Sequence, residues 1–151
     1  MSTILQHVNE DLMMVHAKAS NRNQAIEFAG DLLVKNHLAT EAYISAMIQN
    51  VEENGTYIVI APGIALPHAR PETGVLDMGI SIVTLEEPIP FGHEKNDPVD
   101  IVIGLCAVDH DKHLHLLSSI ISFLSDDNIK QELSDATSKQ EVIQLIKRSG
   151  M

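Results

Sequence analysis

The sequence has few aromatic residues and few basic ones. It contains no Trp, only three Phe and two Tyr, and its 10 Lys and Arg stand against 21 Asp and Glu, which gives a net charge of −11. Proteins that bind nucleic acid need a basic surface, and those that bind single strands also need aromatic rings on which bases stack. We therefore exclude nucleic acid as a partner and expect a basic protein surface as the partner instead.

Cysteine is almost absent, since Cys106 is the only one. A single cysteine cannot form an intramolecular disulfide, which favours a reduced, cytoplasmic protein. Because Cys106 lies within an apolar run, we interpret it as a small core residue rather than a nucleophile. The sequence also lacks a signal peptide and any apolar run approaching the length of a membrane span, so we expect no direct membrane insertion.

Aliphatic residues dominate what is present. Hydrophobic residues make up 44% of 151 positions, enough for one globular domain covering residues 1–151. Apolar spacing predicts strands at 11–17, 57–61, 79–85 and 99–108, helices at 24–36, 40–54, 112–124, 126–133 and after a capping box at 137–141, and an irregular segment at 87–92. This order predicts an α/β fold with a central mixed β-sheet flanked by helices on both faces.

The segment 62–71, with the sequence PGIALPHARP, is the most informative part of the chain. Its prolines cannot donate backbone hydrogen bonds and push the preceding residues toward extended geometry, so it is predicted to be a stiff, extended loop. This loop presents His68, and an imidazole can accept or release a group near neutral pH. Arg70, two residues further on, suggests histidine chemistry on an anion.

A second histidine cluster, DHDKHLH at 109–115, lies between a predicted buried strand and a helix. A helix N-terminus offers free N–H groups that suit phosphate, and His113 falls in that first turn. His110 and His115 are expected to point elsewhere and to be solvated. A metal site remains an alternative, because His110 and His113 are three residues apart and could share a helix face, as in a metallohydrolase.

Three motifs, taken in their order along the chain, resemble those of a known family. They are GIALPH at 63–68, PVD at 98–100 opening an apolar strand, and HLHLL at 113–117. Together they resemble the EIIA domain of the fructose–mannitol family of the bacterial sugar phosphotransferase system. The segments APG at 61–63, PHARP at 67–71 and FGHEKNDPVDI at 91–101 are most similar to the ascorbate-type branch.

The resemblance implies a cytoplasmic transferase component that needs no cofactor. Its members accept a phosphoryl group from phospho-HPr on the histidine that here is His68 and pass it to a cysteine of EIIB. A membrane EIIC protein then takes up the sugar, here ascorbate or a related compound. The second family histidine falls on His113, which would help to hold the phosphoryl group. The alternative is a regulatory protein of the same fold that does not feed a permease.

One departure from the family concerns positive charge. Mannitol- and fructose-type members usually carry an arginine well before the GIALPH motif, whereas the corresponding stretch here, VEENGT at 51–56, has none. Arg70, which the ascorbate-type pattern shares, is the candidate replacement for phosphate binding. His93 is predicted to be an exposed turn residue, and Asp100 a residue at the end of a strand. No Walker A motif occurs, so a nucleotide is not expected to be the direct donor.

Overall fold

A five-stranded mixed sheet forms the centre of the structure, which is a computed structural model describing residues 4–150. The strands are β1 (Met13–Ala17), β2 (Val59–Ala61), β3 (Ile64–Ala65), β4 (Gly79–Ile89) and β5 (Val99–Cys106), in the spatial order β1-β4-β5-β3-β2. β1 is parallel to β4 and β3 to β5, whereas β4–β5 and β2–β3 are antiparallel. The predicted single α/β domain with a mixed sheet is confirmed.

Five α-helices cover the sheet. They are α1 (Arg22–Lys35), α2 (Glu41–Asn54), α3 (His110–Leu124), α4 (Asp127–Asp135) and α5 (Lys139–Ser149). α1 packs on β4 and β5 and carries α2 against its flank, while α3, α4 and α5 pack on β5, β4 and β1 respectively. Helices therefore lie on both faces, as predicted. Among residues 4–150, no helix combines the length and the hydropathy that a membrane span requires.

Small residues let α1 approach the sheet closely. The Ser81 hydroxyl of β4 donates a 2.8 Å hydrogen bond to the Ala29 carbonyl of α1. A Cβ added at Gly104 on β5 would clash with the Ser81 Oγ and lie 3.2 Å from the Ala29 Cβ. Any larger residue at Gly104 would therefore push α1 away from the centre of the sheet.

Residues 62–71 do not form one continuous loop, which corrects the prediction. Pro62 and Gly63 make a two-residue turn between β2 and β3, and the positive φ of 78° at Gly63 is the conformation that favours glycine. β3 then pairs in parallel with β5, so that Ile64 lies beside Ile101. The two-residue strand is too short to leave a periodic signal, yet its register determines where His68 lies.

The predicted irregular segment 87–92 is partly wrong, because β4 continues to Ile89 through Pro88. The pairing of β4 with β5 shifts register between Thr84 and Ile89, and the pairs with β1 that are described end at Leu85. Pro88 is exposed in this stretch, where a missing N–H interrupts no regular ladder.

Two boundaries near the second histidine cluster also differ from the sequence prediction. β5 ends at Cys106 rather than at position 108, and α3 begins at His110 rather than at position 112. The helix starts early because the Asp109 carboxylate accepts a 2.8 Å hydrogen bond from the Lys112 N–H, which is N-capping geometry. The three histidines of this cluster therefore all belong to the helix.

Candidate functional site

A cavity of about 760 Å³ opens where β3 and β5 end, bounded by α2 and the start of α3. Strand ends are the usual place for sites in α/β folds, because the sheet is rigid and the loops that leave it are free to vary. The lining side chains include Asn50, Tyr57, His68, Arg70, His110 and His113. The structure thus brings the two predicted histidines and Arg70 to one place.

His68 is held in one tautomer by its own loop. The Nδ1 atom lies 2.7 Å from the Leu66 carbonyl oxygen, and a carbonyl only accepts hydrogen bonds. In the neutral ring the proton is therefore on Nδ1, and the lone pair is on Nε2. Burial lowers the pKa of His68 from its ordinary value, against a smaller opposing effect of the Leu66 carbonyl. The ring is accordingly neutral near neutral pH, and Nε2 keeps its lone pair.

The backbone on both sides of His68 is tied to one residue of β5. The Leu105 N–H donates to the Pro67 carbonyl at 3.1 Å. The Tyr43 hydroxyl donates to the Leu105 carbonyl at 2.6 Å and accepts from the Ala69 N–H at 3.1 Å. Tyr43 is buried, and this burial raises the pKa of its hydroxyl, which stays protonated. The loop that carries His68 is therefore rigid for two reasons: hydrogen bonds to Tyr43 and Leu105 hold its backbone, and its prolines restrict its conformation.

His113 lies beside His68, as the family resemblance implied. The centroids of the two rings are 4.9 Å apart and the ring planes are inclined at 52°. The pKa of His113 is lowered, first by burial and then by the neighbouring His68 and His110. Two neutral imidazoles at this spacing can share one small anion between them, with one ring as nucleophile and the other as hydrogen-bond donor.

Arg70 and His110 complete the polar rim of the cavity. Arg70 is exposed, is the only Lys or Arg among the lining residues, and makes no side-chain hydrogen bond or ion pair with any residue between 4 and 150. His110 was expected to point away from His113, and this is wrong, because it lines the same cavity. The early start of α3 puts the two histidines at positions that share a helix face.

Comparison with known proteins identifies the family. Residues 6–149 match the family described as "Phosphoenolpyruvate-dependent sugar phosphotransferase system, EIIA 2". The chain belongs to this EIIA family. It is 40% identical over 137 residues to the ascorbate-specific PTS system EIIA component of Escherichia coli K12, a match that covers 90% of this chain and 89% of the relative. The predicted family membership is confirmed, and the chain is a phosphoryl-transfer component of a sugar phosphotransferase system.

Solved structures agree with this assignment. The mannitol-specific cryptic phosphotransferase enzyme IIA CmtB from E. coli has a TM-score of 0.88 and 32% identity, over 98% of this chain and 99% of CmtB. Enzyme IIAMTL in its complex with phosphorylated enzyme IIBMTL from E. coli has a TM-score of 0.83 and 28% identity, over 93% and 96% of the two chains. The nitrogen regulatory protein IIA-Ntr from Neisseria meningitidis, at 21% identity and a TM-score of 0.80 over 93% and 97%, shares the fold.

α2 contributes a wall of the EIIA cavity that was not predicted from the sequence. Asn50 donates from Nδ2 to the His68 carbonyl at 3.1 Å and to the Tyr57 hydroxyl at 2.6 Å. The Tyr57 ring meets the His68 ring edge-on, with centroids 5.7 Å apart and planes at 81°. The one available signal was the run of polar residues that ends α2, in which Asn50 and Asn54 are spaced to share a face.

Three other candidates lie outside this EIIA cavity. His93 is not simply exposed, as predicted, but partly buried, and its Nδ1 accepts from the N–H groups of Lys95 and Asn96. Asp100 accepts a 2.8 Å hydrogen bond from the Ser134 hydroxyl. Cys106 is buried, as predicted, and burial raises the pKa of its thiol to about 12.

The metal alternative concerned the histidines at 109–115. Within residues 4–150 of this EIIA chain, no three His, Cys, Asp or Glu side chains are arranged to hold a metal ion. His110 and His113 share the cavity with His68, whereas His115 does not line it.

Proposed function

We propose that the chain is a cytoplasmic phosphoryl carrier that accepts a phosphoryl group from phospho-HPr on Nε2 of His68 and passes it to a cysteine of EIIB. The observation that carries this proposal is the hydrogen bond from His68 Nδ1 to the Leu66 carbonyl, which leaves Nε2 as the nucleophile. The lowered pKa of His68 keeps that nitrogen unprotonated near neutral pH.

Uptake is a direct displacement between two nitrogens. The Nε2 lone pair of His68 forms a bond to phosphorus while the bond from phosphorus to the donor nitrogen breaks, and the electron pair of that bond returns to the donor. The proton on Nδ1 stays hydrogen-bonded to the Leu66 carbonyl throughout. In the second transfer an EIIB thiolate forms the bond to phosphorus, and the pair of the breaking bond returns to Nε2. Catalysis consists mainly of positioning and charge stabilisation.

His113 and Arg70 supply the charge stabilisation in this proposal. The ring of His113 is close enough to that of His68 to donate a hydrogen bond to an oxygen of the bound phosphoryl group. The negative charge of that group would raise the pKa of His113 and strengthen the contact. Arg70 has no partner among residues 4–150 and lines the cavity, so its guanidinium is available for the same oxygens.

The relatives support the partners and the sugar class. Ascorbate-specific EIIA components of several enteric bacteria are 39–40% identical to the chain, so we assign it to uptake of ascorbate or a related sugar through EIIB and, indirectly, a membrane EIIC. A solved complex between a related enzyme IIA and a phosphorylated enzyme IIB shows the kind of partner expected. The net charge of −11 favours partners with basic surfaces.

Labelled phosphoryl transfer tests the proposal. The chain would be incubated with ³²P-labelled phospho-HPr and then with an ascorbate-type EIIB or a mannitol-type EIIB. We expect label on the chain and rapid loss of that label to the ascorbate-type EIIB alone. Label that stays on the chain with every EIIB would favour the regulatory alternative. A wild-type chain that takes no label from phospho-HPr would contradict the carrier function altogether.

The role of Arg70 needs its own test. We expect Arg70→Gln to slow uptake by about three- to tenfold and to weaken the dependence of the rate on ionic strength, since an exposed charge is screened by salt. Lys147→Gln removes an exposed charge of the same sign on α5, outside the cavity, and should leave uptake unchanged. If the two variants take up label at equal rates, Arg70 does not contribute to phosphoryl transfer.

A further inference from the structure

Tyr57 occupies a place in the cavity that its sequence position did not suggest. Half of its surface is exposed (51%), so it is not held there by burial in the core. It nevertheless meets the His68 ring edge-on, and its hydroxyl accepts a 2.6 Å hydrogen bond from Asn50 Nδ2. The orientation of this exposed tyrosine is therefore fixed by a ring contact and a hydrogen bond rather than by burial.

Asn50 links the hydroxyl to the histidine. Its amide group donates to the Tyr57 hydroxyl and also to the His68 carbonyl, so both hydrogens of Nδ2 are used. The Oδ1 atom of Asn50 in turn accepts from Asn54 Nδ2 at 2.7 Å. Because one amide holds both residues, the hydroxyl of Tyr57 and the backbone of His68 keep a fixed separation.

The proton of the Tyr57 hydroxyl has no acceptor among residues 4–150. The hydroxyl oxygen receives a hydrogen bond from Asn50, and no side chain or carbonyl of the described chain receives one from it. A phenol is both donor and acceptor, so one donor remains available at the edge of the cavity. Glu53 lines the same wall, but its carboxylate accepts from Gln49 Nε2 at 2.7 Å and not from Tyr57.

We propose that the Tyr57 hydroxyl, oriented by Asn50, donates a hydrogen bond to the phosphoryl group carried on His68. Tyr57 is then a catalytic residue that touches the transferred group, and Asn50 is a positioning residue. No covalent bond forms or breaks at Tyr57, and its proton stays on the phenol oxygen in both transfers. This inference rests on the proposed function, because it requires a phosphoryl group on His68.

The variant Tyr57→Phe keeps the ring edge and removes only the hydroxyl. With phospho-HPr as donor, we expect the equilibrium constant for uptake to fall about tenfold, because hydrogen bonds to charged groups are the stronger ones. The ³¹P resonance of the isolated phosphoprotein should shift, and its hydrolysis should become faster. Ser119→Ala, which removes a hydroxyl of α3 outside the cavity, should match the wild type in all three measurements.

A double-mutant cycle with Asn50→Ala separates orientation from a general structural effect. If Asn50 acts partly through the Tyr57 hydroxyl, the effects of Tyr57→Phe and Asn50→Ala on uptake will not add. Fully additive effects, or a Tyr57→Phe protein with wild-type equilibrium and ³¹P shift, would overturn the inference.

The test also distinguishes this inference from the function on which it rests. If the wild type takes no label, the carrier function fails. If the wild type is labelled and Tyr57→Phe behaves identically, only the role of Tyr57 fails. Circular dichroism shows whether Tyr57→Phe keeps the fold. The pKa of His68 in this variant, measured by NMR, shows whether the environment of the His68 ring is unchanged.

Discussion

Two proline-containing segments of this EIIA each carry a histidine whose Nδ1 is engaged by the backbone, and they differ in the direction of that hydrogen bond. Nδ1 of His68 donates to the Leu66 carbonyl, so the lone pair is on Nε2. Nδ1 of His93 accepts from the N–H groups of Lys95 and Asn96, so the neutral ring carries its proton on Nε2. The same side chain thus presents an unprotonated Nε2 in one loop and accepts backbone N–H groups in the other.

The surroundings of the two loops reinforce the difference. The His68 loop is tied to β5 through Leu105 and to α2 through the Tyr43 hydroxyl. Within the loop at 90–98, the Asp97 carboxylate accepts from the N–H groups of Phe91 and Gly92. Asn96 ties this loop to β2 and the turn that follows it, since it donates to the Val59 carbonyl and accepts from the Gly63 N–H. The comparison teaches that backbone partners, rather than proline content, decide which ring nitrogen keeps its lone pair.

The largest expected effect separates the two histidines directly. We expect His68→Ala to abolish uptake of label from phospho-HPr, because the proposed phosphoryl acceptor is lost. His93→Ala should take up label like the wild type, since His93 does not line the cavity. Transfer of ³²P from phospho-HPr measures uptake in both variants. An equal loss in the two, or residual labelling of His68→Ala, would contradict the difference between the two histidines.

The next effect concerns the ring beside the nucleophile. We expect His113→Gln to slow transfer by about a hundredfold, the typical cost of removing one donor to a developing anion. The loss should be greater in the step from the chain to EIIB than in uptake, and rapid-quench measurements of each step would show this. His115→Gln, a substitution on the same helix outside the cavity, is the control and should leave both steps unchanged.

The polar supports of the two loops offer a matched pair of stability tests. Tyr43→Phe leaves a buried Leu105 carbonyl without its donor and should lower the free energy of unfolding by about 1–3 kcal/mol. It should also slow uptake, because the loop that carries His68 loses its hydrogen bond to α2 and becomes more mobile. Asp97→Ala removes the carboxylate that accepts from the N–H groups of Phe91 and Gly92 in the loop at 90–98. It should destabilise the protein without changing uptake. Urea titration and the transfer assay, run on both variants, check the pair.

The smallest expected effect is on pH dependence. The pKa of His68 lies below its ordinary value of 6.5, so Nε2 stays unprotonated and uptake should persist as the pH falls below 6.5. Burial also lowers the pKa values of His113 and His7. Because the unfolded chain then binds more protons, these groups should reduce stability as the pH falls from 6.5 through the folded pKa values, and leave it constant above 6.5.

NMR titration of each ring and urea titration from pH 5 to 8 test this prediction. His113→Gln should remove part of the decrease in stability below pH 6.5, because one of the three protonation sites is gone. A pKa of His68 above 6.5 in the titration would contradict the expected sign and would weaken the assignment of a neutral nucleophile.

Most of the fold was predictable because its signals are local. The spacing of apolar residues in α1 and α2 and the continuous apolar run of β5 identified those elements to within a few residues. The sequence also pointed to His68 and His113, through the prolines around His68, the helix start at His113 and the resemblance of the motifs at 63–68 and 113–117 to the EIIA family. The missed parts, β3 and the continuation of β4 through Pro88, depend on pairing with distant strands, which no local pattern records.

The sequence by itself determined the type of protein: an acidic, aliphatic α/β domain of the EIIA family with a histidine set between prolines. Only the tertiary structure decided the chemistry of that histidine, because the tautomer depends on the Leu66 carbonyl and the rigidity on Tyr43 and Leu105. It also placed Asn50, Tyr57 and His110 around the ring. The physical reason is that patterning is a property of neighbouring residues, whereas a hydrogen bond between α2 and β5 exists only after the sheet and helices have packed.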